Sequence, residues 1–590
     1  MMTNPEIATL LRHVAASFVI KDEKKYHFQI VAYQRAADTI QSLTTQIADL
    51  VKDNKLTQLP GIGTTMQQHL TELITTGKVT HFENTMKEIP QAVFPLLAIP
   101  SFGPKKAYKL VSTFHLNNPT TVTDDIKTLA QKGEIAKLPG FGEKSQADII
   151  RALAEFKEGA GKTTRMLLPF AAEIADAIVA YMKQHPAVIE IQPLGSLRRR
   201  TPTVGDVDLA VATKDPESVL DHFVNYPYKS RVIERGPATS SILTTGGQQI
   251  DLMIQPLESW GSLLQHFTGS KHHNVHLRDI ALKKGLSLSE YGIKDLKATD
   301  QTRKHYATEE SFYEAQGMQW IPPELREDSG EIELALKHQL PTLVELKDIK
   351  GDFHIHSNYP IEPSHDLGQN SMQEMLNKAK ELGYEYLAFS EHNPSVSRHS
   401  KIQIYDILAR RNEYIEQLKE SNKSIRIISL LETDILANGN LAVDDKALEL
   451  LDGTIVSIHS SFNMNTEDMT KRVIGGLSHP RAKILAHPTG RKIGERTGYQ
   501  LDWDKVFAFC KENNKALEIN CWPERSDLPD TLIKEAVQHN VKLTIDTDSH
   551  AVSHMQYMYY GVWMARRGWG QKHDILNTLE YNEIIQWLHT

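Results

Sequence analysis

The chain is organised around Gly195-Ser196-Leu197-Arg198-Arg199-Arg200 and, shortly after it, Gly205-Asp206-Val207-Asp208-Leu209-Ala210-Val211. The second segment alternates apolar residues with Asp206 and Asp208, which predicts a strand. Because residues two apart on a strand share a face, the two carboxylates are expected to project together. Adjacent carboxylates repel each other unless a cation lies between them, and Mg²⁺ is the usual one. The segment therefore predicts a metal site on a buried strand.

A further segment, Gln249-Ile250-Asp251-Leu252-Met253-Ile254, shows the same alternation and places Asp251 on the polar face of a neighbouring strand. The arginines that begin at Arg198 are suited to phosphate, and Gly195-Ser196 supplies a flexible backbone and a hydroxyl. Metal beside phosphate-binding groups is the chemistry of nucleotidyl transfer, in which two metals hold the attacking and leaving oxygens. An Asp-x-Asp pair alone is more often an ordinary strand end, but the combination favours nucleotidyl transfer.

These motifs resemble the nucleotidyltransferase signature of the DNA polymerase X family. The resemblance implies that three acids hold two Mg²⁺ or Mn²⁺ ions, and that the third acid helps to deprotonate the primer 3′-hydroxyl. It also implies binding of the dNTP by residues of the glycine-serine and arginine segments. The catalytic and metal-binding residues are Asp206, Asp208 and Asp251, and the nucleotide-binding residues are Ser196, Arg199 and Gly205. The polymerase beta type has an Arg two residues before the third acid, where this chain has Gln249.

The segment from His266 to Asn274, followed by Arg278, resembles the thumb segment of the same family. By resemblance, Phe267, Gly269 and Asn274 surround the incoming sugar, and Arg278 lies on the template side. The backbone of residues 267–269 would crowd a ribose 2′-hydroxyl, so deoxynucleotides are expected to be preferred. As an alternative, His272, His273 and His276 form a metal-binding patch.

Three glycine-containing turns recur at a spacing of roughly 40 residues, each ahead of a predicted helix. Backbone N–H groups at the start of such a helix can hold a nucleic-acid phosphate without reading the base sequence. The turns predict helix–hairpin–helix DNA binding through Gly61, Gly63, Gly103, Gly140 and Gly142.

The helix after the first hairpin bears on a second activity of the polymerase beta type. Those relatives use a lysine on this helix to form a Schiff base during 5′-deoxyribose-phosphate lyase chemistry. This chain has His69 at that position and Thr65 in place of another basic residue. Because imidazole cannot form the imine, we expect the lyase to be weak or absent.

A second set of chemical groups begins with His354 and His356, which share one face of a predicted strand. Further His, Asp and Glu residues each follow an apolar run: His392, Glu432, His459, His487, Asp548 and His550. Strand–helix units with polar residues at the carboxyl ends of the strands predict a (β/α) barrel with its site on that face. Imidazole and carboxylate ligands without thiolate suit Mn²⁺, Zn²⁺ or Fe.

This pattern resembles the polymerase and histidinol phosphatase (PHP) domain. The resemblance implies a metal-dependent phosphoesterase with a trinuclear site. Its remaining ligand would be Asp366 or His365, which follow an insertion at residues 359–364.

Composition limits the class of protein. The 590 residues exceed a single core, and only Cys510 and Cys521 occur, so a disulfide framework is excluded and a reducing cytosol is expected. Neither a membrane-spanning run nor a signal-peptide pattern is found, which favours a cytoplasmic protein without membrane contact. The net charge of −8 is unevenly distributed, at +2 over residues 1–320 and −10 over the remainder. A monomer is expected.

The predicted fold class is multidomain α/β, with a helical hairpin-rich DNA-binding region, an α+β nucleotidyltransferase palm with thumb, and a C-terminal (β/α) PHP barrel. The predicted domains are residues 1–90 (N-terminal helical), 91–158 (fingers), 159–258 (palm), 259–321 (thumb), 322–348 (linker) and 349–590 (barrel).

This order of domains resembles bacterial members of the X family. It implies gap-filling DNA synthesis in repair with 3′-end processing in the same chain, with dNTPs and gapped or primer-template DNA as partners. Two alternatives are a repair nuclease with a weak or non-polymerising clamp half, and a DNA-binding repair scaffold.

Overall fold

A computed structural model describes residues 2, 4–42, 47–52, 56, 62–97, 99, 102–157, 165–298, 302–493 and 496–590. The chain divides into two compact units, Met1–Thr164 and Arg165–Thr590. Of the predicted site residues, Gly61 lies outside the described residues. No helix in the described ranges is both long enough and apolar enough to cross a membrane.

The first unit is helical, as the sequence predicts. One apolar core is shared by residues such as Leu11, Tyr33 and Leu70, and a second by residues such as Leu110 and Ile126. The helices are α1 (Asn4–Asp22), α2 (His27–Ser42), α3 (Ile47–Lys52), α4 (Thr64–Thr76), α5 (Thr80–Met86), α6 (Val93–Leu96), α7 (Pro104–Thr113), α8 (Val122–Gln131) and α9 (Glu143–Lys157).

The second unit begins with a five-stranded mixed sheet of order β2-β4-β7-β6-β5, in which only β4 and β7 run parallel. Apolar residues of β4 and β7 pack against α10 and α12 on one face of this sheet. The elements are β1 (Met166–Leu167), α10 (Leu168–Met182), β2 (Glu190–Pro193), α11 (Gly195–Arg198), β3 (Thr203–Val204), β4 (Val207–Ala212), α12 (Pro216–Val224), β5 (Lys229–Arg235), β6 (Thr239–Thr244) and β7 (Gln249–Gln255).

A smaller region follows the mixed sheet. Two helices, a three-stranded antiparallel sheet of order β10-β9-β8 and a further pair of helices lead to the barrel. The elements are α13 (Trp260–Thr268), α14 (Lys271–Lys283), β8 (Leu286–Ser289), β9 (Gly292–Asp295), β10 (Arg303–Lys304), α15 (Glu309–Glu314) and α16 (Glu331–Leu336).

The C-terminal region is the barrel that the alternating pattern predicts. Its parallel strands form sheets of order β11-β12-β13 and β14-β15-β16-β17-β18, and only Leu430 and Leu431 separate β13 from β14 along the chain. The elements are β11 (Gly351–Asp352), α17 (Met372–Glu381), β12 (Tyr386–Phe389), α18 (Lys401–Ser421), β13 (Arg426–Ser429), β14 (Glu432–Asp434), α19 (Asp445–Leu448), β15 (Thr454–Ser457), α20 (Thr466–Leu477), β16 (Ala482–Leu485), α21 (Trp503–Glu512), β17 (Ala516–Asn520), α22 (Asp530–Gln538), β18 (Lys542–Asp546), α23 (Met558–Arg567) and α24 (Tyr581–His589).

The ring of strands is closed by bridges at the carboxyl ends. His392 pairs with Glu432, and Ile355 beyond the first strand pairs with Ser549 beyond the last. Apolar side chains such as Phe353 and Leu430 pack with Trp587 of α24. The strand ends that carry the predicted ligands are thereby brought together at one face.

Candidate active sites

The mixed sheet brings the three predicted acids together. The parallel pairing of β4 with β7 sets Asp208 directly opposite Asp251. Asp206 immediately precedes β4, and one carboxylate oxygen from each acid lies within 4.8 Å of the other two. The apolar residues between the acids face the core, with Val207, Leu209 and Leu252 fully buried, because side chains alternate along each strand. The geometry is therefore that of a group able to hold cations.

Asp208, the middle acid, is partly buried between two like charges. Burial, together with the charges of Asp206 and Asp251, raises the pKa of Asp208 to about 7. Gly195 has a φ of +55°, and a Cβ at this position would lie 2.6 Å from Asp208 Oδ2. The turn before the arginines thus requires glycine, both for its backbone conformation and for its close approach to the acid.

Asp251 is held by two neighbours on the sheet. The Ser241 hydroxyl, on the antiparallel strand β6, donates to Asp251 Oδ1. Gln249 Nε2 lies 3.1 Å and 3.0 Å from the two carboxylate oxygens. Gln249, which replaces the Arg of the polymerase beta type, therefore orients the acid without adding a charge.

The arginine segment lies against the predicted sugar-binding segment. Arg199 Nη1 donates to the Thr268 carbonyl at 2.6 Å, and a Cβ on Gly269 would lie 3.2 Å from the same nitrogen. Arg198 makes two hydrogen bonds to the Glu309 carboxylate, at 2.9 Å and 2.7 Å. The predicted phosphate- and sugar-binding segments are therefore adjacent.

The remaining residues of this segment bond mainly to one another. Asn274 Nδ2 donates to the His266 carbonyl at 2.6 Å, and Asn274 Oδ1 accepts from Gln265 at 2.8 Å. Arg278 Nη2 lies 3.3 Å from His266 Nδ1, and Phe267 packs on the core formed with Leu263 and Leu264. These contacts fix the end of α13 against α14.

The alternative of a metal patch in this segment has no support from the geometry. His273 is fully buried, with Nδ1 2.7 Å from Glu331 Oε1 and Nε2 2.9 Å from the Tyr313 hydroxyl. His276 pairs with Asp328 at 2.7 Å. Within the described part of the chain, these histidines are not among the groups that could hold a metal. They join α14 to the segment that leads to the barrel.

In the first unit, each predicted hairpin is followed directly by a helix. Helices α4, α7 and α9 begin one residue after Gly63, Gly103 and Gly142. Gly140 has a φ of +86°, a conformation that favours glycine. Gly63, Gly103 and Gly142 therefore stand at helix starts, where backbone N–H groups are available to a phosphate.

His69, on α4, lies within a group of rings. Its Nδ1 is 3.1 Å from the Tyr33 hydroxyl, and its ring stacks on His81 with 5.0 Å between centroids. Burial is the main cause that lowers the pKa of His69, with a contribution from His81. The expectation of weak or absent lyase activity stays a prediction.

The barrel brings the predicted ligands together around Glu432. Five histidine nitrogens lie close to its carboxylate: His392 Nδ1 at 2.8 Å, His487 Nε2 at 3.1 Å, His354 Nε2 at 3.2 Å, His459 Nε2 at 3.4 Å and His356 Nε2 at 3.5 Å. Asp548 Oδ1 lies 3.3 Å from His356 Nε2 and 3.7 Å from His550 Nδ1.

The two candidates for the remaining ligand both reach this cluster, at different places. Asp366 lies 3.3 Å from His392 Nε2 and 3.5 Å from His550 Nε2. His365 instead lies 3.2 Å from Asp434. Asp366 therefore contacts His392 and His550, whereas His365 forms a group with Asp434 and His459 that could also hold a metal.

The donor set fits divalent metal. Several buried atoms lie near a possible partner but make no hydrogen bond of good geometry in the described structure, among them His354 Nε2, both ring nitrogens of His356, Glu432 Oε2 and His550 Nε2. Unpaired buried polar atoms are costly unless a metal satisfies them. Although burial lowers the pKa of His354, the carboxylates of Glu518, Asp548 and Glu432 raise it well above its usual value. A metal would replace the protons that these pairs otherwise share.

Sequence reasoning missed two acids that orient these ligands. Glu518 Oε1 lies 2.5 Å from His354 Nδ1, and Asp434 Oδ1 lies 2.8 Å from His459 Nδ1. A carboxylate on the second nitrogen of a histidine fixes the ring and its tautomer for a metal on the first. A charged residue within the apolar strand β17 was the available signal for Glu518. Asp434 follows Glu432 by two positions on the same strand.

A cavity of about 400 Å³ opens onto the barrel cluster. Besides the histidines and acids it is lined by Lys492, Arg525 and Trp522. Arg525 Nε lies 3.7 Å from Asp548 Oδ2, so a cation stands at the edge of the cluster. The cavity combines metal-binding groups with cations that suit an anionic substrate.

Four family models match the chain. They are a helix-hairpin-helix domain at residues 2–79, a SAM-like helix-hairpin-helix tandem at 94–155, the DNA polymerase beta thumb at 263–327 and the PHP domain at 352–521. The predicted helix–hairpin–helix regions, thumb and PHP barrel are thereby confirmed.

Curated relatives cover either the whole chain or one part of it. The DNA polymerase/3′-5′ exonuclease PolX of Bacillus subtilis (strain 168) is 32% identical over 590 residues, which is 100% of this chain and 99% of the relative. DNA polymerase lambda of Arabidopsis thaliana is 24% identical over 50% of this chain and 57% of its own length. A probable phosphatase of Caldicellulosiruptor saccharolyticus is 25% identical over 26% of this chain and 59% of its own. The full-length similarity shows that the chain belongs to the bacterial DNA polymerase X family.

Proposed function

We propose that this protein is a template-directed DNA polymerase that fills short gaps in DNA repair and also processes 3′ ends as a 3′-5′ exonuclease or phosphoesterase. The observation that carries the first activity is the in-register pairing of Asp208 with Asp251, with Asp206 in the same 4.8 Å cluster. The full-length relative, named as both polymerase and exonuclease, supports the combination in one chain.

In the polymerase site, Asp206, Asp208 and Asp251 would hold two Mg²⁺ or Mn²⁺ ions, which supply positive charge for the attacking and leaving oxygens when bound. Asp251, oriented by Ser241 and Gln249, receives the proton of the primer 3′-hydroxyl. Removing that proton makes the 3′-oxygen a better nucleophile.

The segments beside the acids bind the nucleotide and the DNA. Ser196, Arg199 and Gly205 bind the triphosphate, with Arg199 oriented by the Thr268 carbonyl at 2.6 Å. Phe267, Gly269 and Asn274 surround the deoxyribose, and Arg278 lies on the template side. Gly63, Gly103, Gly140 and Gly142, with Gly61 outside the described residues, hold phosphates of the duplex. The protein acts as a monomer in the cytoplasm.

In the barrel, the donors would hold up to three Mn²⁺, Zn²⁺ or Fe ions, which supply the Lewis acidity for hydrolysis of a phosphodiester when bound. The donors are His354, His356, Asp366, His392, Glu432, His459, His487, Asp548 and His550. Arg525 and Lys492 attract the phosphate into the cavity that they line. Glu518 and Asp434 keep the rings of His354 and His459 oriented.

The test is extension and degradation of a 5′-labelled primer on a gapped template, with and without dNTPs, in Mg²⁺ and in Mn²⁺. We expect gap filling with dNTPs and shortening of the primer without them. Shortening without any extension would favour the repair nuclease, and neither reaction with intact DNA binding would favour the scaffold.

A further inference from the structure

Each of the three successive arginines from Arg198 to Arg200 has a different contact partner. Arg198 is paired with Glu309, which is 4% exposed, and Arg199 Nε donates to Glu327 Oε1 at 3.0 Å. The Arg200 guanidinium lies 3.7 Å from the centre of the Trp563 ring, on the barrel helix α23. The segment predicted to bind the triphosphate is therefore fixed partly by the barrel.

The closest link from the barrel to this segment is Arg567, the last residue of α23. Its Nη1 donates to the Arg199 carbonyl at 2.6 Å and to Glu327 Oε1 at 3.0 Å. The opposite edge of the guanidinium binds Asp530, with 2.8 Å and 2.6 Å to Oδ2. Arg567 is 8% exposed, so these bonds are shielded from solvent. One rigid fork thus connects an acid of the barrel to the backbone of Arg199.

Glu327 is shared by two cations through a single oxygen. Burial raises the pKa of Glu327, but the charges of Arg567 and Arg199 outweigh burial and lower it. Because Arg199 and Arg567 bind the same oxygen, Glu327 holds the Arg199 side chain in a fixed position relative to Arg567. Among the residues that the structure describes, Arg199 Nη2 makes no hydrogen bond. Arg199 therefore keeps a donor for an anion.

From these contacts we infer that Arg567 is a positioning residue for DNA synthesis. Through Glu327 and the Arg199 backbone, it holds the arginine that binds the triphosphate of the incoming nucleotide. The barrel would then serve the polymerase site as a support, in addition to carrying its own hydrolytic site. The inference rests on the proposed function, because it assumes that Arg199 binds a dNTP.

The test compares steady-state kinetics of gap filling in the wild type, Arg567→Lys and Glu327→Gln. Lysine keeps the charge and loses the fork, and glutamine keeps the size and loses the charge. We expect the KM for dNTP to rise roughly tenfold, because hydrogen bonds to charged groups are weakened, while kcat changes less than about twofold. The affinity for gapped DNA and the 3′-end degradation rate should stay at wild-type levels.

A probe without base or sugar separates phosphate positioning from general loosening. Inorganic tripolyphosphate, with Mg²⁺ in excess, should inhibit gap filling competitively against dNTP. Its inhibition constant should rise in parallel with KM in both variants. An unchanged inhibition constant would overturn the inference, because the variants would then act on the base or the sugar.

The matched control is Glu324→Gln, which removes an ion pair at the same contact and whose hydrogen bond goes to Arg566 and not to the arginine segment. Glu324 Oε1 accepts from Arg566 Nε at 2.8 Å, one residue before Arg567. Its KM for dNTP should equal that of the wild type.

An equal rise of this KM in the control, or no rise in Arg567→Lys and Glu327→Gln, overturns the inference alone. A wild type that extends no primer overturns the proposed function and the inference together. If Arg567→Lys fails to fold, Glu327→Gln, which lies outside the barrel, decides the matter.

Discussion

The two candidate metal sites of this chain differ in their ligand types and in their burial. The mixed sheet offers three carboxylates, with Asp206 exposed, and no imidazole. The barrel surrounds a fully enclosed Glu432 with imidazoles and adds further carboxylates that orient two of these rings. The sheet site is therefore partly exposed and offers three donors, whereas the barrel site is buried and offers many.

The difference predicts how each site takes its metal. Mg²⁺ is commonly held by one or two carboxylates together with substrate phosphates, so the sheet site should fill only when a dNTP arrives. Mixed imidazole and carboxylate donors bind transition metals without help from a substrate. The barrel metals should therefore be purified with the protein, and the sheet metals should exchange freely.

The largest effect is expected from Asp251→Ala. The carboxylate that faces Asp208 across the parallel strands is lost, so the metal pair loses a ligand and the primer hydroxyl loses its proton acceptor. Gap filling should fall by about 10³-fold or more, which corresponds to roughly 4 kcal/mol of barrier. Primer extension measures this loss, and metal content by mass spectrometry should stay unchanged.

Glu258→Ala, an exposed acid just beyond the same strand, is the control. Wild-type extension by Asp251→Ala would show that the acids are not catalytic.

The reverse pattern is expected from the double variant His354→Asn/His356→Asn. Two fully buried donors are removed from the barrel cluster, so resident metal and 3′-end degradation should both be lost, by about 10²- to 10³-fold in rate. Gap filling should be kept. The matched control is His573→Ala/His589→Ala, which removes two exposed histidines of the same region. A double variant that still degrades 3′ ends, together with an Asp206→Ala variant that does not, would place the nuclease on the mixed sheet.

The free energy of unfolding should depend on the carboxylate of Glu309, which pairs with Arg198 of the arginine segment. Burial raises the pKa of Glu309, but Arg326 and Arg198 outweigh it and lower the pKa to about 2. A depressed pKa in the folded state means that the stabilisation is complete above pH 4.5 and is lost as the pH falls towards 2. A shift of this size corresponds to about 3 kcal/mol.

The variant Glu309→Gln should therefore be less stable by about 3–5 kcal/mol at pH 7, because Arg326 is left buried without its partner. Urea unfolding at pH 7, 4.5 and 3 measures the difference, which should narrow as the pH falls. Glu310→Gln, at the exposed neighbouring position, should unfold like the wild type. A difference that stays constant across these pH values would mean that the charge of Glu309 does not stabilise the fold.

Local periodicity made most of both sites predictable. Alternation predicted that Asp208 and Asp251 lie on neighbouring strands, although their direct pairing was seen only in the register of the sheet. Polar residues after successive apolar runs predicted the barrel donors. The chain pattern fixes these positions because a strand has a period of two and a barrel collects its strand ends.

Residues that act across long separations gave no such signal. Glu327 and Arg567 meet although 240 positions separate them, and neither stands in a motif. At each of these two positions a charged side chain is ordinarily expected to face solvent. The pair is therefore revealed only by the packing of the barrel helix α23 beside the arginine segment. Asp434 is an intermediate case, because it shares the strand of Glu432 and could have been found by the same period.

The smallest effect is expected from Asp434→Asn, and it should be confined to the barrel site. Asp434 Oδ1 lies 2.8 Å from His459 Nδ1 and 3.2 Å from His365 Nε2, and asparagine keeps its shape without the charge. Loss of such an orienting carboxylate costs about 10- to 100-fold in metal affinity or activity. Degradation of a 3′ end, titrated with Mn²⁺, should therefore need more metal, and gap filling should be unaffected. Asp445→Asn, which breaks an exposed contact with His479, is the matched control. Equal Mn²⁺ requirements in Asp434→Asn and the wild type would mean that the metal alone orients His459. The buried barrel site would then depend, like the exposed sheet site, only on the residues that contact its cations.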